Sequence, residues 1–443
     1  MTVYLNTNTP LENFKELFNE EYFVDKSMIL EKLNKQISSK GKYICITKPR
    51  RFGKSSIADM LGAYYSKAFD SKNIFDNLNI SKSESYEENI NKYNVINISF
   101  NKIPEKCSNY SDYIGMIITS LIDDITEVFQ KVKTKKYFTI GDMLLSTNEK
   151  FVFILDEWDY IFSHNLFEEH QNDFLEFLRN LLKDKPYVAL AYMTGVLPIK
   201  KYSEGSALNM FREYTMLNDR IYADYFGFTE NEVKRLCYKN GNMDYEEIKE
   251  WYNGYITNKG NNIYNPRSVI CALSDEYCQS YWTSTGAMDE VLYYLKYNIA
   301  EVRDDVIEMV SGNSIDIILE EEYRAGQKNL ETREEIYSAM VIYGFLSYYD
   351  GTLKIPNKEL MKEFEKALRD ESFGKVMDIV KNDIAFILEL KKNSTPDEAI
   401  KQIKEKKYAQ KFIQENEGKK ILAIAICYNS KSKDHECKIE ELS

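Results

Sequence analysis

The residues best suited to chemistry are a lysine with a hydroxyl beside it and, further along, two adjacent acids. Phe52-Gly53-Lys54-Ser55 supplies the last part of GxxxxGK[ST]. In that loop backbone N–H groups wrap phosphates, the lysine reaches the β and γ oxygens, and the hydroxyl binds magnesium. Lys48 stands where the motif has its first glycine, and Pro49 follows it. A metal-bound triphosphate also needs a carboxylate at a neighbouring strand end and a base that orients the attacking water. Asp156 and Glu157, side by side in FVFILDEWD, fit those tasks, Asp156 for magnesium and Glu157 for the water. Lys54 then serves catalysis as well as binding. Arg50, Arg51, Phe52, Gly53, Ser55 and Ser56 complete the cofactor-binding set, with one of the two arginines as a phosphate clamp. Thr194, at the end of YMTG, either faces the γ-phosphate and the water or simply satisfies a strand end. Asp159 reads as a helix or turn cap.

Such groups must be held by a frame, and the sequence supplies one. KYICIT is a short apolar run rich in β-branched and aromatic residues, KPRRFGKSS is the turn, and IADMLGAYYSKAF has apolar residues three and four apart. Strand, turn and helix therefore follow in the order a phosphate loop requires. NVINISF, FVFILDEWDYIF and YVALAYMTG are further apolar strands, and the helices YIGMIITSLIDDITEVF and NDFLEFLRNLLKD alternate with them. Strands apolar on both faces, alternating with helices, predict a parallel sheet covered on both sides. From Gly227 the rhythm turns helical, beginning with Thr229 as an N-cap, and GFLSYYDGTLKIP predicts a hairpin turning on Asp350-Gly351. In the tail IAFILELKK is a strand, Pro396 opens a helix, and KKILAIAICYN is expected as the final strand. The predicted domains are 1–226 for the phosphate-loop sheet, 227–375 for a helical lid and winged-helix-like region, and 376–443 for a small α/β module.

Composition narrows the function classes. A chain of 443 residues is long enough for roughly two to four domains. A net charge of −12 argues against coating nucleic acid by bulk attraction, while a local basic groove stays open. The seven cysteines form no CxxC pair and no zinc spacing with the three histidines, which fits buried thiols in a reducing compartment. No leader-like opening and no membrane-spanning apolar run occur, so the expectation is a cytoplasmic protein without a membrane partner. His164, His170 and His435 stand apart in polar surroundings and are assigned no catalytic part. Trp158, Trp251 and Trp282 are expected in cores. Arg267 in YNPRSV either packs the lid or reaches the nucleotide.

The stretches YFVDKSMIL, KPRRFGKSS, FDNLNIS, FVFILDEWD, ALAYMTGVLPIKKY, SALNMFREYTML, IKEWYNGY, YNPRSV, SYWTSTG and QIKEKKY run through most of the chain. On them the sequence resembles the bacterial predicted AAA-ATPase-like family, which commonly carries a C-terminal PD-(D/E)xK nuclease-like domain. The resemblance implies a P-loop NTPase fold with a helical lid, ATP and Mg2+ as cofactors, and an RPRRFGKS form of the loop. It also implies a nuclease-like site, in which Glu389 and Lys391 form the E-x-K half and Gln402 and Tyr408 lie on the following helix. The family's preceding aspartate strand finds no match here. KVMDIVK, which contains Asp378, reads as a linker helix, so the module is expected to be truncated, inactive and open along one sheet edge, with Asp378 or Asp383 the remaining candidates for the lost ligand.

The resulting expectation is a Mg-dependent ATPase acting as a nucleotide-driven switch, with a degenerate nuclease-like C-terminus. The alternatives are a metal-dependent DNA nuclease coupled to an ATPase, and a non-hydrolysing, nucleotide-regulated interaction protein. Whether the further partner is DNA or protein, and how many copies assemble, the sequence leaves open.

Overall fold

The computed structural model describes residues 2–103, 107–134, 137, 139–199, 207–281, 302–319, 330, 332–368, 375–381, 384–406, 410, 412–414, 420–429 and 434–442, with the backbone alone at 375–381 and 384. The expectations placed on Trp282, Asp383 and Tyr408 lie outside the described residues.

Five strands build the first sheet: β1 (Tyr43–Thr47), β2 (Asn94–Ser99), β3 (Phe151–Asp156), β4 (Val188–Gly195) and β5 (Arg212–Tyr214). Every neighbouring pair is parallel, in the order β2-β3-β4-β1-β5. The continuous apolar runs explain this arrangement, because β1, β3 and β4 are buried along their whole length. Alternate side chains feed two cores. Ile44, Ile46, Val152, Ile154 and Leu190 pack with the helices Thr9–Phe18, Ile29–Asn34 and Lys54–Tyr65. Cys45, Phe151, Phe153, Leu155 and Met193 pack with Tyr110–Val128 and Gln171–Leu182 on the other face. Each fully buried aliphatic or aromatic side chain contributes about 1.5–3 kcal/mol, so the two faces of this sheet are a major source of the fold's stability. The strand β4 lies between β1 and β3, so the ends of those two strands flank Thr194 and Gly195 on one edge of the sheet.

The helical region follows as expected. Thr229 and Glu232 form a capping box at the start of Glu230–Asn240, with Thr229 N donating to Glu232 Oε2 at 2.7 Å. Helices Tyr245–Tyr252 and Pro266–Asp275 pack on it around Val233, Ile248, Tyr252 and Val269. The short strands β6 (Phe228–Thr229), β7 (Tyr255–Ile256) and β8 (Asn262–Tyr264) form an antiparallel sheet beside them. Helices Val302–Val310, Arg333–Tyr343 and Lys358–Leu368 come next, with a three-stranded antiparallel sheet of β9 (Ile315–Asp316), β10 (Ser347–Tyr349) and β11 (Thr352–Lys354). The hairpin β10–β11 turns on Asp350 (φ 49°) and Gly351 (φ 81°), the two positive-φ positions of a type I′ turn.

The tail corrects two expectations. KVMDIVK is not a linker helix but strand β12 (Lys375–Lys381), antiparallel to β13 (Ile384–Lys392). A seven-residue run with Val376, Ile379 and Val380 does not separate strand from helix by period, and the open side of β13 decides it. Nor is β14 (Lys420–Tyr428) the final strand, because β15 (His435–Glu441) pairs antiparallel with it. The strand carrying Glu389 is therefore paired on both sides, with Glu389 opposite Val376 of β12 and Ala425 of β14. Among the described residues no helix is long and apolar enough to cross a membrane.

Candidate nucleotide-binding site

The phosphate loop leaves β1 at Thr47 and enters helix Lys54–Tyr65 through Gly53. Gly53 has φ +85° and open space where a Cβ would stand, so it is backbone conformation that calls for glycine there. Phe52 points inward rather than toward the loop mouth. It is 1% exposed, meets the ring of Tyr255 edge-on at 5.1 Å, and its carbonyl accepts from Gly227 N at 3.1 Å. Lys48, in place of the first glycine, is buried. Its ammonium lies 2.8 Å from Asp219 Oδ2 and donates to the Thr215 carbonyl at 2.8 Å, while Asp219 Oδ1 accepts from Ile221 N and Tyr222 N. A lysine standing in a glycine's place is the one sign of this pair in the sequence.

Lys54 Nζ donates to the Lys48 carbonyl at 2.9 Å and the Pro49 carbonyl at 2.8 Å. Burial pulls its ammonium down to about 8, against the charges of Asp159, Asp156 and Glu157. The Ser55 hydroxyl hydrogen-bonds the Asp156 carboxylate, joining the ends of the loop and of β3. Burial pushes Asp156 up to about 6, with the Ser55 bond opposing and the Glu157 charge adding to the rise. Glu157 sits in the left-handed region at φ 50°, a conformation that costs a non-glycine residue roughly 1–2 kcal/mol. Its N–H donates to Asp156 Oδ1 at 3.1 Å. Asp159 is a cap, as expected, though for the chain after β4 rather than for a helix. Its Oδ2 accepts from Val196 N at 3.0 Å and Leu197 N at 2.8 Å. Gly195 makes room for it, since a Cβ there would stand 2.2 Å from Asp159 Oδ1.

Lys54, Ser55, Glu157 and Asp159 open on one cavity of about 680 Å³, whereas Asp156, buried and bonded to Ser55, is not among its lining residues. Arg50, Arg51, Gly53, Lys54, Ser55 and Ser56 line it from the loop side, and Glu157 and Asp159 from the end of β3. Arg267 and Cys271 of helix Pro266–Asp275 close it from the lid side, so Arg267 faces the cavity rather than only packing the lid. Phe52 lies behind the wall, and the fully buried Thr194 does not line the cavity; its carbonyl accepts from Trp158 N at 3.2 Å. Tyr160 and His164, one helical turn apart with ring centroids at 4.0 Å, are on the rim. His164, to which the sequence assigned no catalytic part, thus borders the cavity, and its spacing from Tyr160 is the signal that pairs them. The Ser55 hydroxyl and Asp156 carboxylate are the donors magnesium takes, since that ion keeps waters and phosphate oxygens as its remaining ligands. Among the described residues no group of three or more His, Cys, Asp or Glu forms a ready-made metal cage.

The second acidic centre lies in the tail. Glu389 is 1% exposed, its Oε1 lies 3.1 Å from Lys391 Nζ, and its Oε2 has no hydrogen-bond partner among the described residues. Position 378 pairs with Ile387, two residues along the ladder from the Val376–Glu389 pair. Gln402 is half-buried on helix Pro396–Glu405, which packs on β13 and β14.

The loop and its hydroxyl thus follow β1 and the paired acids follow β3, on either side of β4. Residues 9–203 match the family model AAA-ATPase-like, described as a predicted AAA-ATPase. The match takes in the phosphate loop, the Asp156-Glu157 turn and β4. A protein described as uncharacterised, from the vnfD 5′ region of Azotobacter chroococcum mcd 1, is 25% identical over 279 residues, 60% of this chain and 51% of that protein. The chain thus spans about half the length of that relative. A Walker-type ATPase of Pyrococcus abyssi is similar at a TM-score of 0.37 and 13% identity, over 79% of this chain and 99% of that one.

Proposed function

We propose that this protein binds Mg-ATP and hydrolyses it, using closure of the helical region to signal the nucleotide state. The observation that carries the reading is the convergence of Lys54, Ser55 and Glu157 on one cavity, with the buried Asp156 carboxylate hydrogen-bonded to Ser55. In this reading Lys54 exchanges its two loop carbonyls for the β and γ oxygens. Ser55 and Asp156 hold magnesium, which supplies charge neutralisation at the phosphates. Glu157 accepts a proton from the attacking water and fixes its direction, and Arg50, Arg51 and Arg267 offset the remaining phosphate charge. Thr194 is left the supporting role of a strand end. The match of residues 9–203 to a predicted AAA-ATPase family supports the nucleotide part. The test is an equilibrium titration of Mg-ATP against wild type and Lys54→Ala. Loss of binding in the variant is expected, and equal affinity for the two overturns the assignment.

A second reading is favoured by β12. With that strand beside β13, the tail has an aspartate position, a buried glutamate and a lysine on neighbouring strands, the donor set of a metal-dependent phosphodiesterase. Plasmid nicking with magnesium or manganese, lost in Glu389→Ala, supports it. Nicking that persists in the variant assigns the activity elsewhere.

A further inference from the structure

Two of the arginines on the cavity, Arg51 and Arg267, trace back to one buried carboxylate that does not itself line it. Arg51 Nη1 donates to the Tyr281 carbonyl at 2.7 Å, and Tyr281 N donates to Glu359 Oε1 at 2.6 Å. Arg267 is followed directly by the buried Ser268, whose hydroxyl donates to Glu359 Oε2 at 2.9 Å and lies 3.1 Å from Oε1. The Asn265 side chain accepts from the N–H groups of Arg267 and Ser268, so the Glu359 contact acts on the capped first turn of helix Pro266–Asp275. Glu359 is itself well placed. It lies in the first turn of helix Lys358–Leu368, where Asn357 Oδ1 accepts from Leu360 N at 3.0 Å. One turn further on, Glu363 Oε1 accepts from the Ser280 hydroxyl at 2.9 Å, so the same helix grips the chain at 280–281 twice.

We propose that Glu359 is a positioning residue for the phosphate cavity, setting Arg51 through the backbone of Tyr281 and Arg267 through Ser268; the proposal rests on the triphosphate reading above. A carboxylate is costly to bury unless donors satisfy it, and here the donors are the groups that lead to the two arginines. A guanidinium carries its five N–H groups in a rigid fork, so the carbonyl that holds one of them fixes the direction of the rest. Arginine side chains are otherwise long and rotamer-rich, and ordering each on a ligand costs about 0.5–1.5 kcal/mol. Holding them in place before the phosphates arrive removes part of that cost. Glu359 lies beyond the hairpin β10–β11, far along the chain from the phosphate loop. The cavity is therefore completed only when helix Lys358–Leu368 is docked, and by reciprocity a bound triphosphate favours the docked position. That makes this helix the element through which the nucleotide state reaches the C-terminal part of the chain.

The test is calorimetric titration of Mg-ATP into the full chain and its variants. Glu359→Asp keeps the charge but draws the carboxylate back by about 1.5 Å, one carbon–carbon bond. It should weaken binding at least about tenfold, the scale of a misplaced positioning group. Glu359→Gln keeps the length and an accepting oxygen, and its amide can donate to the Ser268 hydroxyl, so it should recover affinity to within about threefold of wild type. An effect through charge alone gives the reverse order and overturns the proposal, as does equal binding by all three proteins. In the Arg51→Ala/Arg267→Ala background Glu359→Asp should change affinity by less than about twofold. A loss that multiplies there shows Glu359 acting on something other than the arginines, and also overturns it. Ser268→Ala, a change too small to endanger the fold, should weaken binding about threefold in wild type and leave Arg267→Ala unaltered. Losses equal in the two backgrounds break the Arg267 branch and with it the proposal, while wild-type binding leaves the phosphate site standing. Failure of wild type to bind Mg-ATP overturns the phosphate reading itself, and this inference falls with it.

Discussion

The charge on Lys54 makes nucleotide affinity depend on pH in a way that few other groups in the protein can imitate. Its ammonium is held at about 8 rather than 10.5, chiefly because it is buried. A triphosphate needs the charged form, so above pH 8 each binding event must first return a proton to the lysine. For a pKa of about 8, roughly nine-tenths of the lysines are charged at pH 7 and one-eleventh at pH 9, so the dissociation constant for Mg-ATP should rise about tenfold across that span. The stability linkage has the opposite sign. The unfolded lysine keeps its proton up to about 10.5 while the folded one loses it near 8, so the unfolded state binds more protons between those values and this group's contribution to stability rises with pH there. Affinity and stability should therefore diverge. Titrations at pH 7, 8 and 9 on wild type and Lys54→Arg decide the matter, since the guanidinium stays charged throughout. A wild-type affinity that is flat to pH 9, or that falls equally in Lys54→Arg, refutes the reasoning.

Four further outcomes are expected. Glu157→Gln should bind Mg-ATP with unchanged affinity and slow its hydrolysis at least about a hundredfold in a phosphate-release assay, the usual effect of removing a positioned base. Below pH 6 Asp156 takes up a proton, because burial raises its carboxyl to about 6, so the magnesium-dependent part of nucleotide binding should fall as pH drops from 7 to 5, measured with and without chelator. Lys48→Met leaves Asp219 buried with only backbone donors, and chemical denaturation should show a loss of about 3–5 kcal/mol. Gly195→Ala forces a methyl onto Asp159 Oδ1, and its melting temperature should fall together with nucleotide affinity, because Asp159 borders the same cavity.

The sequence made the centre of the molecule legible and its periphery much less so. Tyr43–Thr47 and Phe151–Asp156 announce themselves because a strand buried on both faces has no polar alternation to confuse it, and Gly53-Lys54-Ser55 and Asp156-Glu157 fall at their ends. β12 and β15 were hidden for the opposite reason. Lys375–Lys381 mixes charge with β-branched residues, and six of the seven residues of His435–Glu441 are exposed, so pairing with β13 and β14 rather than local pattern makes them strands. Three-residue β5 has too little sequence to carry a period. The choice between the two readings of Arg267 was open for the same reason, because its place beside the cavity depends on how helix Pro266–Asp275 packs, a long-range fact.

The same distinction explains how the loop stands without its first glycine. A glycine at position 48 would let the backbone turn by its own freedom; here the turn is held from outside. The backbone at Lys48 prolongs β1, with its N–H donating to the Gly195 carbonyl at 3.1 Å, while the side chain runs inward to Asp219 and Thr215. That leaves the Lys48 and Pro49 carbonyls facing the Lys54 ammonium, and four residues on, Phe52 is gripped by Tyr255 and Gly227. Both grips come from chain beyond β5. A loop shaped by its own glycines would be indifferent to movement of that region, whereas this one is tied to it at each end. If bound nucleotide draws Lys54 off its two carbonyls, as proposed, it acts on contacts that the chain beyond β5 shares, and the substituted glycine becomes a reason to expect coupling between the loop and the helices that follow it.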